Sequence, residues 1–150
     1  MTRAVLDTNV LVSAFINNYG PSRHIFKAWH QGKFELVTSL PCLQELDQVL
    51  RRPRLQRKYK LGDDDIYRYI LFLATQATVV PAPRKATPIC QDPDDDKFLL
   101  CALVGKAQVI VSGDPHLLEM NGVWDIAVVT PRDFAVTTVG GWQPTLPGIR

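Results

Sequence analysis

Short, unbroken apolar runs alternate along this chain with stretches in which apolar residues recur every three or four positions. Arg3-Ala4-Val5-Leu6 reads as a buried strand ending at Asp7, and Val10, Leu11, Ala14 and Phe15 behind it have helical spacing. After a turn over 17–21, Ile25, Phe26 and Trp29 predict one face of a helix over 22–31, with Gly32 beyond its end. Phe34 to Thr38 is the next strand. Leu43, Leu46, Val49 and Leu50 then predict a helix that Ser39 would cap and Pro53 would end. Asp63 to Asp65 suit the positive N-terminus of a helix continuing to Ala74. Ala77 to Val80 reads as a third strand and Pro81 to Pro88 as a loop. A helix opening at Asp94 or Asp95 and running to Val104 comes next, then a very apolar strand from Gln108 to Val111. A short helix after Pro115, a strand from Ile126 to Val129 and a last helix from Pro131 to Val136 complete the pattern.

Continuously apolar strands separated by helices indicate a parallel sheet covered on both faces, an α/β chain with three α/β/α layers and a short parallel central sheet. No repeat or linker divides it, so residues 1–136 are expected to form one domain and 137–150, rich in Gly and Pro, an irregular C-terminal tail. At 150 residues, 46% apolar and 21% charged, there is core material for one such unit and too little charge for a disordered chain. Cys42, Cys90 and Cys101 are odd in number and without CxxC spacing, and His24, His30 and His116 form no ligand motif. Neither a disulfide framework nor a zinc site is therefore expected. Only Ala4, Val5 and Leu6 precede Asp7 as an apolar run, too short for a signal-peptide core, and no run reaches the length of a membrane span. A cytoplasmic protein with no membrane partner is the expectation. The net charge of +2 does not by itself argue for nucleic-acid binding, but acids and bases are clustered separately.

The acids carry the chemistry. In open α/β sheets, ligands sit outside the carboxyl ends of the strands. Asp7 directly follows the first strand, and Asp114 follows the strand Gln108 to Val111. Glu45 lies two turns into the helix after the second strand, and Asp96 in the first turn of the helix after the third. Positions far apart in sequence thus map to one edge of one sheet. Two carboxylates roughly 5 Å apart repel by about 3 kcal/mol at an effective dielectric near 20. Raised pKa values or a bound cation must offset this, and Lys97 is the one basic residue within these motifs. A hard divalent ion with oxygen ligands, Mg²⁺ or Mn²⁺, fits best, and hydrolysis of a phosphodiester is the reaction such a site suits.

Val5-Leu6-Asp7-Thr8-Asn9-Val10-Leu11 resembles the opening motif of PIN-domain nucleases. Ser39 followed by Glu45-Leu46 is similar to their second acidic motif. Asp92-Pro93-Asp94-Asp95-Asp96-Lys97-Phe98-Leu99 resembles the third, and Val111-Ser112-Gly113-Asp114-Pro115-His116-Leu117-Leu118 the fourth. The likeness runs from about Arg3 to Phe134, in order and spacing, and is nearest to the VapC-like toxins of toxin–antitoxin pairs. It implies a PIN-like fold in which Asp7, Glu45, Asp96 and Asp114 hold Mg²⁺ or Mn²⁺ and act catalytically, with Asn9 and Ser112 as polar support. The choice of Asp96 follows the family register, and Asp92 or Asp95 could share its role. The resemblance further implies an endoribonuclease acting on single-stranded RNA, commonly as a homodimer and restrained by a small antitoxin protein.

Simpler readings exist for each acid. Asp7 and Asp114 could be helix caps, Glu45 a surface charge, and the Asp92–Asp96 run a solvated turn complementing a helix dipole. That run also begins like a calcium loop, but Lys97 stands where Gly is required and Leu103 where Glu is. A haloacid-dehalogenase-type phosphatase would need a second Asp where Asn9 stands. A receiver-type phosphoacceptor would need a Lys where Thr130 and Pro131 stand. A non-catalytic PIN-like domain that binds RNA or protein is the remaining alternative. Arg51, Arg52, Arg54, Arg57, Lys58 and Lys60 form a basic segment that could contact an RNA backbone or be a solvated loop. Trp29, Trp124 and Trp142 are expected to pack, with Trp142 the one best placed to meet a partner.

Overall fold

The computed structural model describes residues 1–83, 89–90 and 92–143. β1 (Arg3–Leu6) leads into α1 (Thr8–Ile16) and α2 (Pro21–His30); β2 (Glu35–Ser39) follows, then α3 (Leu40–Leu50), α4 (Pro53–Tyr59) and α5 (Asp63–Gln76). After β3 (Thr78–Val80), a 3₁₀ turn (Pro93–Asp95) opens α6 (Asp96–Val104). β4 (Val109–Val111), α7 (Pro115–Leu118), a second 3₁₀ turn (Val123–Asp125) and β5 (Ala127–Val129) come next. The last helical stretch, α8 (Pro131–Asp133), passes into a π-helical turn (Phe134–Val139) and so reaches beyond Val136.

The five strands form one sheet in the order β3-β2-β1-β4-β5, every pair parallel. This is the short parallel central sheet that the apolar runs predict. Successive side chains point to opposite faces. Ala4 and Leu6 of β1 join Leu36, Val109 and Val111 in one core, covered by Leu11 of α1, Ile25 of α2, Leu46 of α3 and Leu73 of α5. Val5 joins Val37 and Ile110 in the other, covered by Phe98, Leu99 and Ala102 of α6 and Leu117 of α7. The three layers follow directly from this alternation. At the end of α6, a Cβ on Gly105 would stand 2.4 Å from Val37 Cγ1, so only glycine lets the helix end lie this close to β2.

The chain steps outward from β1 through β2 to β3, then returns to the other side of β1 for β4. The order therefore reverses between β1 and β4, and in open α/β sheets that point leaves a crevice at the carboxyl edge. Asp7 continues the ladder there, its amide donating to the Val111 carbonyl at 3.0 Å.

The structure departs from the sequence expectations at two capping positions. Ser39 does precede α3, but its hydroxyl donates to Cys42 Sγ at 3.2 Å instead of capping the backbone. Pro53 does not end α3, which stops at Leu50; it opens α4 at a position where a missing N–H costs nothing. The basic segment is thus a short helix closed by Lys60 in the left-handed region (φ 53°), not a loop. Of the tryptophans, Trp29 is buried, while Trp124 is 45% exposed. The expected loop over 81–88 and the tail over 137–150 lie partly outside the described residues. No helix among those described is long and apolar enough to cross a membrane.

Candidate active site

Asp7, Glu45 and Asp114 line one cavity of about 250 Å³ at this crevice, together with Thr8, Asn9 and Arg52. Asp7 caps α1, its Oδ1 accepting from the Val10 amide at 2.9 Å. Its Oδ2 accepts from the Ser112 hydroxyl. Ser112 Oγ in turn accepts from the Asp114 amide at 2.9 Å, so one buried hydroxyl ties the ends of β1 and β4 together. Asp114 caps α7, accepting from the His116 amide at 2.9 Å. Asn9 is exposed at the cavity rim.

Glu45 reaches the same cavity from α3 and is held from two sides. Thr8 donates its hydroxyl to Oε2, and Lys97 Nζ lies 2.7 Å from Oε1. With both partners partly shielded, the Lys97 ammonium supplies internal positive charge beside the acids. Neither the bond from Thr8 to Glu45 nor the pairing of Lys97 with Glu45 was visible in the motifs, because each depends on how α3 meets α1 and α6.

The third acidic motif divides unexpectedly. Asp96 is fully buried and does not border the cavity. Its two carboxylate oxygens accept from the Ile89 amide at 2.9 Å and the Cys90 amide at 2.6 Å, fastening the segment before the 3₁₀ turn onto α6. Asp95, one residue earlier, lines the cavity with Asp92 and Asp94. Its Oδ2 is buried and has no hydrogen-bond partner among the described residues. Asp95, Asp114 and His116 each present a ligand atom within 4.8 Å of the others. His116, which no sequence spacing marked, comes to the site only because α7 turns it back toward the 3₁₀ turn.

The electrostatics follow from this crowding. Burial pushes the Asp95 carboxyl up to about 7, reinforced by the facing Asp114 carboxylate, then Asp92 and Glu45. Burial likewise raises Asp7 above its ordinary range, against the lowering effect of its bonds to Ser112 and Val10; Asp114 and Glu45 add to the rise. A carboxylate that faces a second one and has a buried oxygen without a donor among the described residues calls for a shared proton or a cation. The donor set is all oxygen apart from one imidazole at the rim, which suits a hard divalent ion. The residues present therefore fit a hard divalent ion such as Mg²⁺ or Mn²⁺, and Asp95 borders the cavity where Asp96, the residue chosen by family register, does not.

The basic segment also divides. Arg51 is engaged by Asp47 at 2.9 Å and Asp63 at 3.0 Å. Arg52 borders the acidic cavity, and Arg54, Arg57, Lys58 and Lys60 are exposed on or just after α4.

The fold is similar to that in the crystal structure of VapBC2 from Rickettsia felis bound to a DNA fragment from their promoter, with a TM-score of 0.57 at 10% identity. That match covers 86% of this chain and 98% of the other. An uncharacterized protein of Methanocaldococcus jannaschii, MJ1680, is 33% identical over 141 residues, 88% of each chain. Residues 3–116, from the start of β1 to the turn after Asp114, match the PIN domain, and the chain belongs to the PIN-domain family.

Proposed function

We propose that this protein is a metal-dependent endoribonuclease that hydrolyses phosphodiester bonds of single-stranded RNA. One observation carries the reading. Asp7, Glu45, Asp95 and Asp114 line a single cavity at the switch point of the sheet, and a buried oxygen of Asp95 there has no donor. Asp7, Asp95 and Asp114 would hold Mg²⁺ or Mn²⁺, with Glu45 beside them and His116 at the rim. A divalent ion bound there supplies neutralisation of phosphate charge and acidification of a water.

The chain's own groups prepare the site. Ser112 fixes the orientation of the Asp7 carboxylate and, through the Asp114 amide, the start of α7. Thr8 and Lys97 hold Glu45 in one rotamer, so that a proton accepted by its carboxylate is taken at a defined place. Lys97 also places a positive charge beside the clustered acids. Asp96 contributes at one remove, by fastening the segment that carries Asp92 and Asp95. Arg52 at the cavity edge and the exposed cations of α4 lie where a phosphate backbone would leave the site.

The test is cleavage of a quenched, fluorescent single-stranded RNA by purified protein. Cleavage that requires Mg²⁺ or Mn²⁺, ceases with EDTA and is lost in Asp7→Asn supports the reading. Cleavage at an undiminished rate by Asp7→Asn would overturn it. The VapC-like resemblance extends the proposal to a cytoplasmic toxin that forms a homodimer and is restrained by a small antitoxin. Expression of the chain alone should then slow bacterial growth, and co-expression of a small neighbouring protein should restore it with a co-purifying complex. A wild type that is harmless and has no such partner removes the toxin part and leaves the nuclease part standing.

A further inference from the structure

Two further depressions follow the acidic cavity in series, joined to it through shared lining residues. Asn9 borders both that cavity and a second depression between α1 and the end of α4, lined by Val12, Ser13 and Ile16 and by Tyr59. Asn18 and Tyr19, in the turn after α1, border this second depression and also a third, lined by Arg23, His24, Lys27 and Trp142. The three depressions share lining residues in series. One path therefore runs from the carboxylates along α1 to the first turns of α2. α1 has nine residues, which at about 1.5 Å each gives a span of roughly 13 Å, room for several nucleotides.

The lining changes character along this path. It is acidic at the start, where Arg52 is the neighbouring cation. It becomes mixed in the middle, where Val12 and Ile16 stand among amides, a hydroxyl and two exposed rings: Tyr59 is 38% exposed and Tyr19 69%. At the far end it is cationic. Arg23 donates from Nη2 to the Phe15 carbonyl and to Asn18 Oδ1, which fixes its guanidinium on the floor. Its Nε is buried with no hydrogen-bond partner among the described residues. Lys27 stands exposed one turn further along α2. His24 Nε2, 2.7 Å from the Gly140 carbonyl, latches the chain that brings Trp142 to the groove, and Arg132 lies 6.0 Å above that indole ring.

A groove of rings and fixed cations beginning at a phosphodiester-cleaving site has the chemistry of a single-stranded nucleic-acid channel: every base has a face to stack and every nucleotide a charge to pair. A peptide would better fit an apolar floor, and here Asn9, Ser13, Asn17 and Asn18 interrupt one. We propose that this groove is the track of the RNA strand, with bases stacking on Tyr59 and Tyr19 and a phosphate beyond them held by Arg23 and Lys27. The track rests on reading the acidic cavity as a nuclease site, and it adds substrate-binding residues on α2 and in the turn before it.

The test uses the full chain carrying Asp7→Asn, so that bound RNA stays intact. Fluorescence anisotropy follows its binding to a labelled, mixed-sequence single-stranded RNA of about twelve nucleotides across a salt series. Tyr19→Ala should weaken binding about tenfold. Lys27→Glu should weaken it about fivefold and lower the slope of log affinity against log salt by about 0.7. Lys33→Glu, a matched charge change on an exposed residue off the groove, should leave binding unchanged. Ultraviolet crosslinking should place RNA adducts on Tyr19 or Trp142. The track is overturned if Lys27→Glu and Lys33→Glu act alike and Tyr19→Ala has no effect. It is also overturned if crosslinks fall only elsewhere, or if the protein binds no RNA while a co-purifying protein shields Tyr19 and Tyr59. If binding follows the groove variants but the wild type cuts no RNA, the nuclease reading fails and the track stands. If the wild type cuts RNA and binding ignores Tyr19 and Lys27, the reverse holds.

Discussion

Asp7 and Asp114 reach the cavity from the ends of strands, whereas Asp95 reaches it from a helical turn, and the two settings constrain a carboxylate very differently. At a strand end the sheet fixes the residue: Asp7 is still held by a backbone bond to Val111, and Ser112 spans from Asp7 to Asp114. In the 3₁₀ turn before α6, each residue rotates the side chain by about 120°. One step of register then separates a carboxylate facing Asp114 and His116 from one satisfied by the Ile89 and Cys90 amides. A run of aspartates can thus hold a ligand position and a structural position side by side. They differ in what the surroundings offer: no donor for Asp95 Oδ2, two amides for Asp96.

The largest expected effects come from exchanging the charge at these neighbours. Asp95→Asn should lower metal-dependent RNA cleavage by about a hundredfold or more, because it removes a cation ligand, and should leave the metal-free fold as stable as before or more so. Asp96→Asn should do the opposite to stability. It replaces a buried carboxyl that accepts from two amides, and should cost about 2–3 kcal/mol in urea denaturation of the metal-free protein. An unstable Asp95→Asn together with an unperturbed Asp96→Asn would reverse the contrast.

A second effect concerns pH. Asp7 and Asp95 bind protons more tightly in the folded chain than in the unfolded one, Asp95 titrating near about 7. Between the ordinary carboxylate range near about 4 and that value, the folded state holds more protons, so stability falls as pH rises. The melting temperature of EDTA-treated protein should therefore be higher at about pH 5 than at about pH 8, and Asp95→Asn should flatten the slope. Mn²⁺ at the higher pH should restore stability in a concentration-dependent way. A metal-free melting temperature that climbs over the same window would contradict the raised values.

The smallest effect belongs to the cations of α4. Neutralising Arg54, Arg57 and Lys58 together should weaken RNA binding by roughly tenfold across sequences and flatten its salt dependence. An unchanged salt slope would make α4 a solvated helix. Arg51 is left out of that set, since Asp47 and Asp63 already engage it.

Much of this was legible in the chain because parallel strands are buried on both faces and so read as continuous apolar runs. The α/β order, the strand-end acids Asp7 and Asp114, and Glu45 on α3 all rest on that signal. What the sequence withheld depends on tertiary contact. Pro53 serves equally as a helix terminator or as a first helical residue, and only the exposed α4 that follows it shows which. Asp95 and Asp96 have identical chemistry, and the backbone of residues 89 and 90 distinguishes them. His116 and Thr8 stand within the motifs without a role that the motifs assign; they meet their partners because α7 and α3 pack where they do. The groove toward Lys27 joins residues from α1, α2, α4 and the chain after Gly140, a grouping no local pattern records.

The central claim is that Asp95, and not Asp96, completes the cation site with Asp7 and Asp114. Its most direct test is a Mn²⁺ titration followed by electron paramagnetic resonance, on wild type, Asp95→Asn and Asp96→Asn at neutral pH, each first shown to be folded by circular dichroism. Wild type should sequester the ion, Asp95→Asn should lose that binding, and folded Asp96→Asn should retain it. Wild-type Mn²⁺ affinity in Asp95→Asn, with binding lost in folded Asp96→Asn, would contradict the claim.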